Sequence, residues 1–153
     1  MKHLTLAAAL TLLSAPAFAQ DLTGDVAAGE EQFGRQCVAC HVVVNEAGET
    51  LAGRNAQVGP NLYQMPGNVM AHVADFDYSD AFLELKERGD VWTEELFVAY
   101  VQDPTNFLRE QTENRRARGK MAFQVRDAQQ AADIYAYLHS IGPAPTEEAA
   151  ASE

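Results

Sequence analysis

Cysteine is scarce in this chain of 153 residues: there are two, Cys37 and Cys40. A Cys₄ zinc site is therefore excluded, and the tight spacing would give a strained, redox-type disulfide rather than a structural staple. Basic residues are also few. Eleven Lys and Arg stand against 22 Asp and Glu, a formal charge of −11, so bulk charge will not bring the chain to nucleic acid or an anionic membrane. Long apolar runs are missing too. The stretch Leu4 to Leu13 is too short to span a bilayer as a permanent helix, which argues against a stable membrane anchor. No internal repeat is apparent, and nothing reads convincingly as a sheet.

That short run has another meaning. Lys2 and His3 precede it, and Ala17-Phe18-Ala19 follows it, which is the pattern of an export leader cleaved after Ala19. The expected organisation is a signal peptide over 1–19, one domain over 20–142, and a tail over 143–153. The tail reads Pro-Ala-Pro-Thr-Glu-Glu-Ala-Ala-Ala-Ser-Glu, without a large apolar residue, and is expected to be disordered. Removing Lys2 with the leader makes the charge −12. The chain is expected in the periplasm, as a monomer.

The two cysteines occur as Cys37-Val38-Ala39-Cys40-His41. Two thiols at this spacing with a histidine directly after is the attachment site of a c-type haem. Each thiol adds across one vinyl group of the porphyrin, and the histidine is held against the iron as an axial ligand. A thioredoxin-like pair would need a βαβ unit around it, and none is visible. A mixed zinc site would need two of His3, His72 and His139, and His3 lies in the leader. Haem c is also attached outside the cytoplasm, in agreement with export.

The rest of the chain reads as helices separated by long loops. Helical patterning runs from about Val26 to Cys37, with Val26, Phe33 and Cys37 on one face and Thr23 or Asp25 as cap. Gly29 is either an accident or a point of close helix packing. Val42 to Val58 is loop-like, with a short extended piece at Val42–Val44 and a turn at 46–49. Gly59-Pro60 follows. An axial histidine needs an acceptor for its second ring nitrogen, and the Pro60 carbonyl is the candidate. Ser79 is placed to cap a helix over about 80–88 with apolar Phe82, Leu83 and Leu85. Thr93-Glu94-Glu95 opens the next, which Asp103-Pro104 stops. A short helical turn over 104–110, a polar loop over 111–120 and a last helix from about Asp127 to Ile141 complete the chain. This is an all-α reading, with loops enough to wrap a cofactor.

The iron's opposite face has several candidates: Met65, Met70, His72, Met121, His139, or an open position. Met121 stands out because a polar loop delivers it, Gly119 precedes it and Phe123 offers an apolar wall. Eighty residues separate it from His41, enough to go round the macrocycle once.

Taken together, these residues resemble the class I cytochromes c, and within them the bacterial cytochrome c2 type. The resemblance rests on an ordered set. It runs from Gly24-Asp25-Val26 with Gly29 and Phe33, through the haem motif, Ala52-Gly53-Arg54-Asn55 and Gly59-Pro60-Asn61-Leu62-Tyr63, to Phe76-Asp77-Tyr78-Ser79-Asp80 and Trp92-Thr93-Glu94-Glu95. It continues through Tyr100-Val101-Gln102-Asp103-Pro104 and Gly119-Lys120-Met121-Ala122-Phe123 to Ile134-Tyr135-Ala136-Tyr137-Leu138. The resemblance implies one covalently bound haem c in a small all-α cytochrome c fold, with Met121 as sixth ligand. It implies that Tyr78 and Trp92 hydrogen-bond a haem propionate, and that Tyr100 lies near the methionine sulfur. It also implies that Gly29 and Phe33 pack against the Tyr137 region. Two departures stand out. Asn68 occupies the place of an arginine usually found near a propionate, and the mature chain has only Lys86 and Lys120 where relatives carry many lysines.

An iron with two fixed protein ligands is an electron carrier, because neither substrate nor oxygen binds without displacing one. The expected partners are membrane redox complexes: a quinol–cytochrome c oxidoreductase as donor, and a cytochrome oxidase or photosynthetic reaction centre as acceptor. The basic charge is concentrated. Arg109, Arg115, Arg116, Arg118, Lys120 and Arg126 outnumber Glu110 and Glu113, so this segment carries +4 and the rest of the mature chain −16. These residues with Arg54 are the candidate docking patch. The competing readings are a haem subunit of a larger periplasmic oxidoreductase, and a gas-binding haem protein with a labile sixth ligand.

Overall fold

The structure, a computed structural model, describes residues 22–142. The expected leader and acidic tail lie outside the described residues. Five helices and one small hairpin follow in order: α1 (Val26–Gln36), β1 (Val42–Val44), β2 (Thr50–Gly53), α2 (Asp80–Glu87), α3 (Glu94–Gln102), α4 (Pro104–Gln111) and α5 (Ala128–Ile141).

Each helix start has a local cause. The carboxylates of Asp25, Asp103 and Asp127 accept the N–H groups of Ala28, Asn106 and Gln130, and the Thr93 hydroxyl accepts from Leu96 N–H. Pro104 supplies the preset φ of a first helical residue, and the helical turn expected over 104–110 is a helix of eight residues. Ser79 is the exception. It occupies the cap position of α2, but its side chain makes no capping bond.

α5 is the centre of the molecule. Every residue from Ala131 to Leu138 is buried, including Asp133, so this stretch of the helix is covered all round. α1 crosses it, and the crossing is set by glycine. A Cβ on Gly29 would lie 1.9 Å from the Asp133 carbonyl oxygen, and one on Gly24 2.2 Å from that of Ala132. The two main chains touch, which decides the role of Gly29 in favour of packing. Phe33 then meets the Tyr137 ring at 5.7 Å between centroids. The buried Asp133 carboxylate takes Asp25 N–H at 2.8 Å and Gln129 Nε2 at 2.9 Å, so the crossing leaves it satisfied.

Three expectations are corrected. The extended piece at Val42–Val44 and the turn after it are present, but they belong to an antiparallel hairpin whose second strand falls in the stretch expected to be loop, pairing Val42 with Gly53 and Val43 with Ala52; three consecutive β-branched residues and the turn at Gly48 favour it. Val26 is exposed, because the α1 face that meets α5 is Gly29 and Phe33. Leu83 is also exposed, since α2 turns Ala81, Phe82 and Leu85 inward. The same core continues around Trp92, whose ring lies 5.3 to 6.3 Å from those of Phe82, Phe97, Tyr100 and Phe107.

Candidate functional site

The thiols and His41 are presented by the turn that ends α1. Cys40 N–H and His41 N–H both donate to the Cys37 carbonyl, at 3.0 and 2.9 Å, so the motif is a tight backbone unit. His41 Nδ1 lies 3.0 Å from the Pro60 carbonyl oxygen. A carbonyl only accepts, so Nδ1 carries the hydrogen and Nε2 the lone pair. Burial lowers the His41 pKa, and the bond to Pro60 opposes this more weakly. The ring therefore stays neutral where an ordinary histidine begins to charge, the state a metal ligand needs.

Pro60 is held there by its neighbours. Asn61 clamps Val44 from both sides, accepting its N–H at 2.9 Å and donating to its carbonyl at 2.7 Å. Gly59 N–H donates to Cys40 O at 2.8 Å. A Cβ on Gly59 would lie 2.3 Å from His41 Cε1, so only glycine lets the main chain lie against the ring. Neither requirement is visible in a Gly-Pro turn signal. The partner in each case is 17 or more positions away in sequence.

Cys37, Cys40 and His41 open onto a cavity of about 420 Å³ that is mostly apolar. Of the residues expected at the site, Pro60, Tyr78, Trp92, Tyr100, Met121 and Phe123 also line it. Burial pushes the Cys37 thiol up to about 12, with Cys40 adding to the effect, and pushes the Tyr100 and Tyr78 phenols up as well. All three groups are held neutral, which suits an apolar ligand. Phe123, 49% exposed, and Val58, at 72%, both line the cavity. Phe123 is thus part of the rim rather than the sealed wall that its position after Met121 suggests.

Met121 reaches the cavity on a segment without helix or strand. That segment is tied to the fold by Val125 N–H on the Val101 carbonyl at 2.8 Å, and by Lys120 Nζ on the Asp77 carbonyl and carboxylate, each at 2.5 Å. The other sixth-ligand candidates are differently placed. Met70 is core, and neither it nor His139 lines the cavity. Met65 and His72 line it, and Met65 stands three residues beyond Leu62, whose N–H donates to Val42 beside His41.

The polar atoms of the wall test whether haem c fits. Ser79 Oγ is buried, lines the cavity and has no hydrogen-bond partner among the described residues. An orphaned hydroxyl costs about 1–3 kcal/mol unless something accepts it. A carboxylate group carried by the ligand would do so, and haem has two. Sequence reading gave Ser79 a capping role because serine before a helix has that meaning; its inward direction is a tertiary fact. With two thiols, a lone-pair nitrogen and a waiting donor lining one mostly apolar cavity, the residues fit the group.

The docking residues do not line this cavity, apart from Lys120. Arg54, Arg115, Arg116 and Arg118 are exposed. Arg109 is half-buried on α4 with its Nε inside, and Lys120 is already paired with Asp77. Asn68 turns its Oδ1 to Val69 N–H at 2.8 Å, while its carbonyl holds Trp92 N–H at 2.9 Å. It does not line the cavity. A wider surface groove of about 720 Å³ lies between Thr23, α3 and α5, and none of the expected site residues line it.

A helical chain closed round such a cavity has the class I cytochrome c fold. A cytochrome c2 from Rhodovulum adriaticum is 56% identical over 122 residues, covering 80% of this chain and 96% of that protein. One from Cereibacter sphaeroides is 45% identical over 141 residues, covering 92% and 95%. Among solved structures, cytochrome c2 from Rhodobacter sphaeroides matches with a TM-score of 0.76 at 45% identity, covering 80% of this chain and 99% of that one. Ferric cytochrome c-550 from Paracoccus versutus matches with a TM-score of 0.72 at 38% identity, covering 78% and 99%. No protein-family model matches the chain. The chain belongs to the cytochrome c2 family. It is a monohaem electron-transfer protein rather than an enzyme, and carries one covalently attached haem c.

Proposed function

We propose that this chain is a periplasmic carrier whose haem iron is held by His41 and Met121, with Cys37 and Cys40 as the thioether anchors. The observation that carries the reading is the His41–Pro60 bond, which leaves Nε2 with the lone pair at a cavity that Met121 also lines. Met65 is the weaker choice, since its segment is bonded to the strand directly after His41; a ligand for the opposite face has to come from a separate segment. Bound haem supplies one-electron iron chemistry. The chain's own part is to fix both ligands, exclude water with the Trp92 and Tyr100 rings, and offer donors to the carboxylates from Ser79, Tyr78 and Trp92. A thioether ligand and an apolar wall both favour the ferrous state and raise the potential.

The electrons pass from a membrane quinol–cytochrome c oxidoreductase to a cytochrome oxidase or a photosynthetic reaction centre. The exposed Arg54, Arg115, Arg116 and Arg118, with Lys120 and Arg109 nearby in the chain, form the patch that meets an acidic partner; local positive charge steers the encounter in a protein that is negative overall. The absorption spectrum of the oxidised protein tests the ligand pair. A weak near-infrared methionine-to-iron band is expected, absent in Met121→Ala and retained in Met65→Ala; a high-spin parent spectrum would sink the reading. Reversing Arg116 and Arg118 to Glu should slow transfer to the acceptor about tenfold at low salt, with less effect at high salt. An unchanged rate removes the patch.

A further inference from the structure

A single side chain of the α5 frame reaches the main chain at the cavity wall. Tyr135, fully buried, donates its hydroxyl to the Trp92 carbonyl at 2.8 Å. Burial pushes this phenol up to about 12, so the hydroxyl keeps its proton and serves as donor. Gly67 N–H donates to the same carbonyl at 2.9 Å, and the main-chain N–H of Trp92 donates to Asn68 O at 2.9 Å. Met70 N–H donates to Asp90 O at 2.7 Å, and Val69 bridges to Val91. Segments 67–70 and 90–92 thus form a short antiparallel tie, and Tyr135 fastens it to a helix.

Trp92 lines the cavity and Tyr135 does not, so whatever Tyr135 does for a ligand passes through Trp92. What Trp92 offers is its indole N–H, a group that only donates. The arginine and lysine that line the cavity, Arg35 and Lys120, are each paired with a carboxylate, Glu31 and Asp77. The ligand's carboxylates are then left to neutral donors. A charge acts over several ångströms in any direction, whereas a hydrogen bond weakens steeply as its angle closes. A wall of neutral donors depends on each being aimed. The Trp92 ring is held among aromatic neighbours, and its main chain is held at both the N–H and the carbonyl.

We propose that Tyr135 is a positioning residue for electron transfer, its hydroxyl fixing the Trp92 main chain so that the indole N–H stays aimed at a haem carboxylate. The inference rests on the carrier reading. A carboxylate that accepts this bond presents less negative charge to the iron. Loosening the bond favours the more highly charged ferric state, so the midpoint potential falls.

The test is Tyr135→Phe in the holoprotein, which removes one oxygen and keeps the ring that packs on Phe97 at 5.5 Å. The chain has one tryptophan, so its indole N–H gives a single resonance in the reduced protein. That proton should exchange with solvent about fivefold faster in the variant, the effect of losing one buried hydrogen bond. The potential should fall by the equivalent of about threefold in the electron-exchange constant, with the near-infrared methionine band retained. Leu138→Ala is the control: it lowers stability from a buried site on the same helix that does not line the cavity, and should leave both readouts in place. In the parent, the Tyr135 hydroxyl proton and the indole N–H should be lost to solvent in one common opening as urea is raised, a check that needs no variant. An unmoved potential, an indole N–H that exchanges as in the parent, equal shifts in Leu138→Ala, or separate openings in the parent overturns the assignment. A parent lacking the methionine band overturns the carrier reading instead, and leaves the two exchange measurements to judge Tyr135.

Discussion

At the α1–α5 crossing main chain meets main chain, while around the cavity side chains meet space. The crossing is complete in itself: Gly24 and Gly29 let the backbones touch, and the buried Asp133 has both its partners within the protein. At the cavity, Ser79 Oγ has no hydrogen-bond partner among the described residues, and the thiols, His41 and Met121 line one volume. The same chain therefore has a frame that needs only itself and a wall shaped for something else. The difference is one of connection. Helices satisfy their own backbone, whereas the loops at 54–79 and 112–127 depend on a few long-range ties.

The largest expected effect comes from breaking the frame. Gly29→Ala forces a Cβ to within 1.9 Å of a backbone oxygen, and should cost about 3 kcal/mol in urea unfolding of the holoprotein. Gly34 sharpens the contrast. It sits on the same helix with nothing within 4 Å, so Gly34→Ala should stabilise by about 0.5–1 kcal/mol. Next comes the wall. Ser79→Ala should cost about 1 kcal/mol in the same measurement, if bound haem completes the hydroxyl's bonding. A neutral or stabilising result would mean that the hydroxyl stays orphaned in the holoprotein. The smallest effect belongs to the tie between the two loops. Asp77 is 95% exposed at its side chain, so Asp77→Asn should cost less than about 1 kcal/mol, and nothing at high salt, because the Lys120 contact to the Asp77 carbonyl remains.

Much of the frame was legible because its signals are local. Asp25, Thr93, Asp103 and Asp127 cap the helices they precede, and the apolar spacing of α3 and α5 marks their buried residues. The failures are also physical. Val26 and Leu83 fit an apolar stripe but fall on the solvent side, since periodicity defines a stripe to within a turn and the neighbour selects its centre. The extended piece at Val42–Val44 and the turn after it were legible, but the second strand and the pairing were not, because each strand is only three or four residues long. Ser79 was assigned by residue type to a cap that it does not make.

By itself the sequence determined the cofactor's address, because two thioether bonds need two thiols at a fixed spacing and an adjacent ligand. It determined the capped helices and the concentration of arginine in one segment. Only the tertiary structure decided which main-chain atoms meet: Gly29 against Asp133, Gly59 against the His41 ring, and Pro60 O on Nδ1. It alone turned Ser79 and His72 toward the cavity. Contacts of this kind depend on segments far apart in the chain coming within a few ångströms, and no local preference encodes that distance.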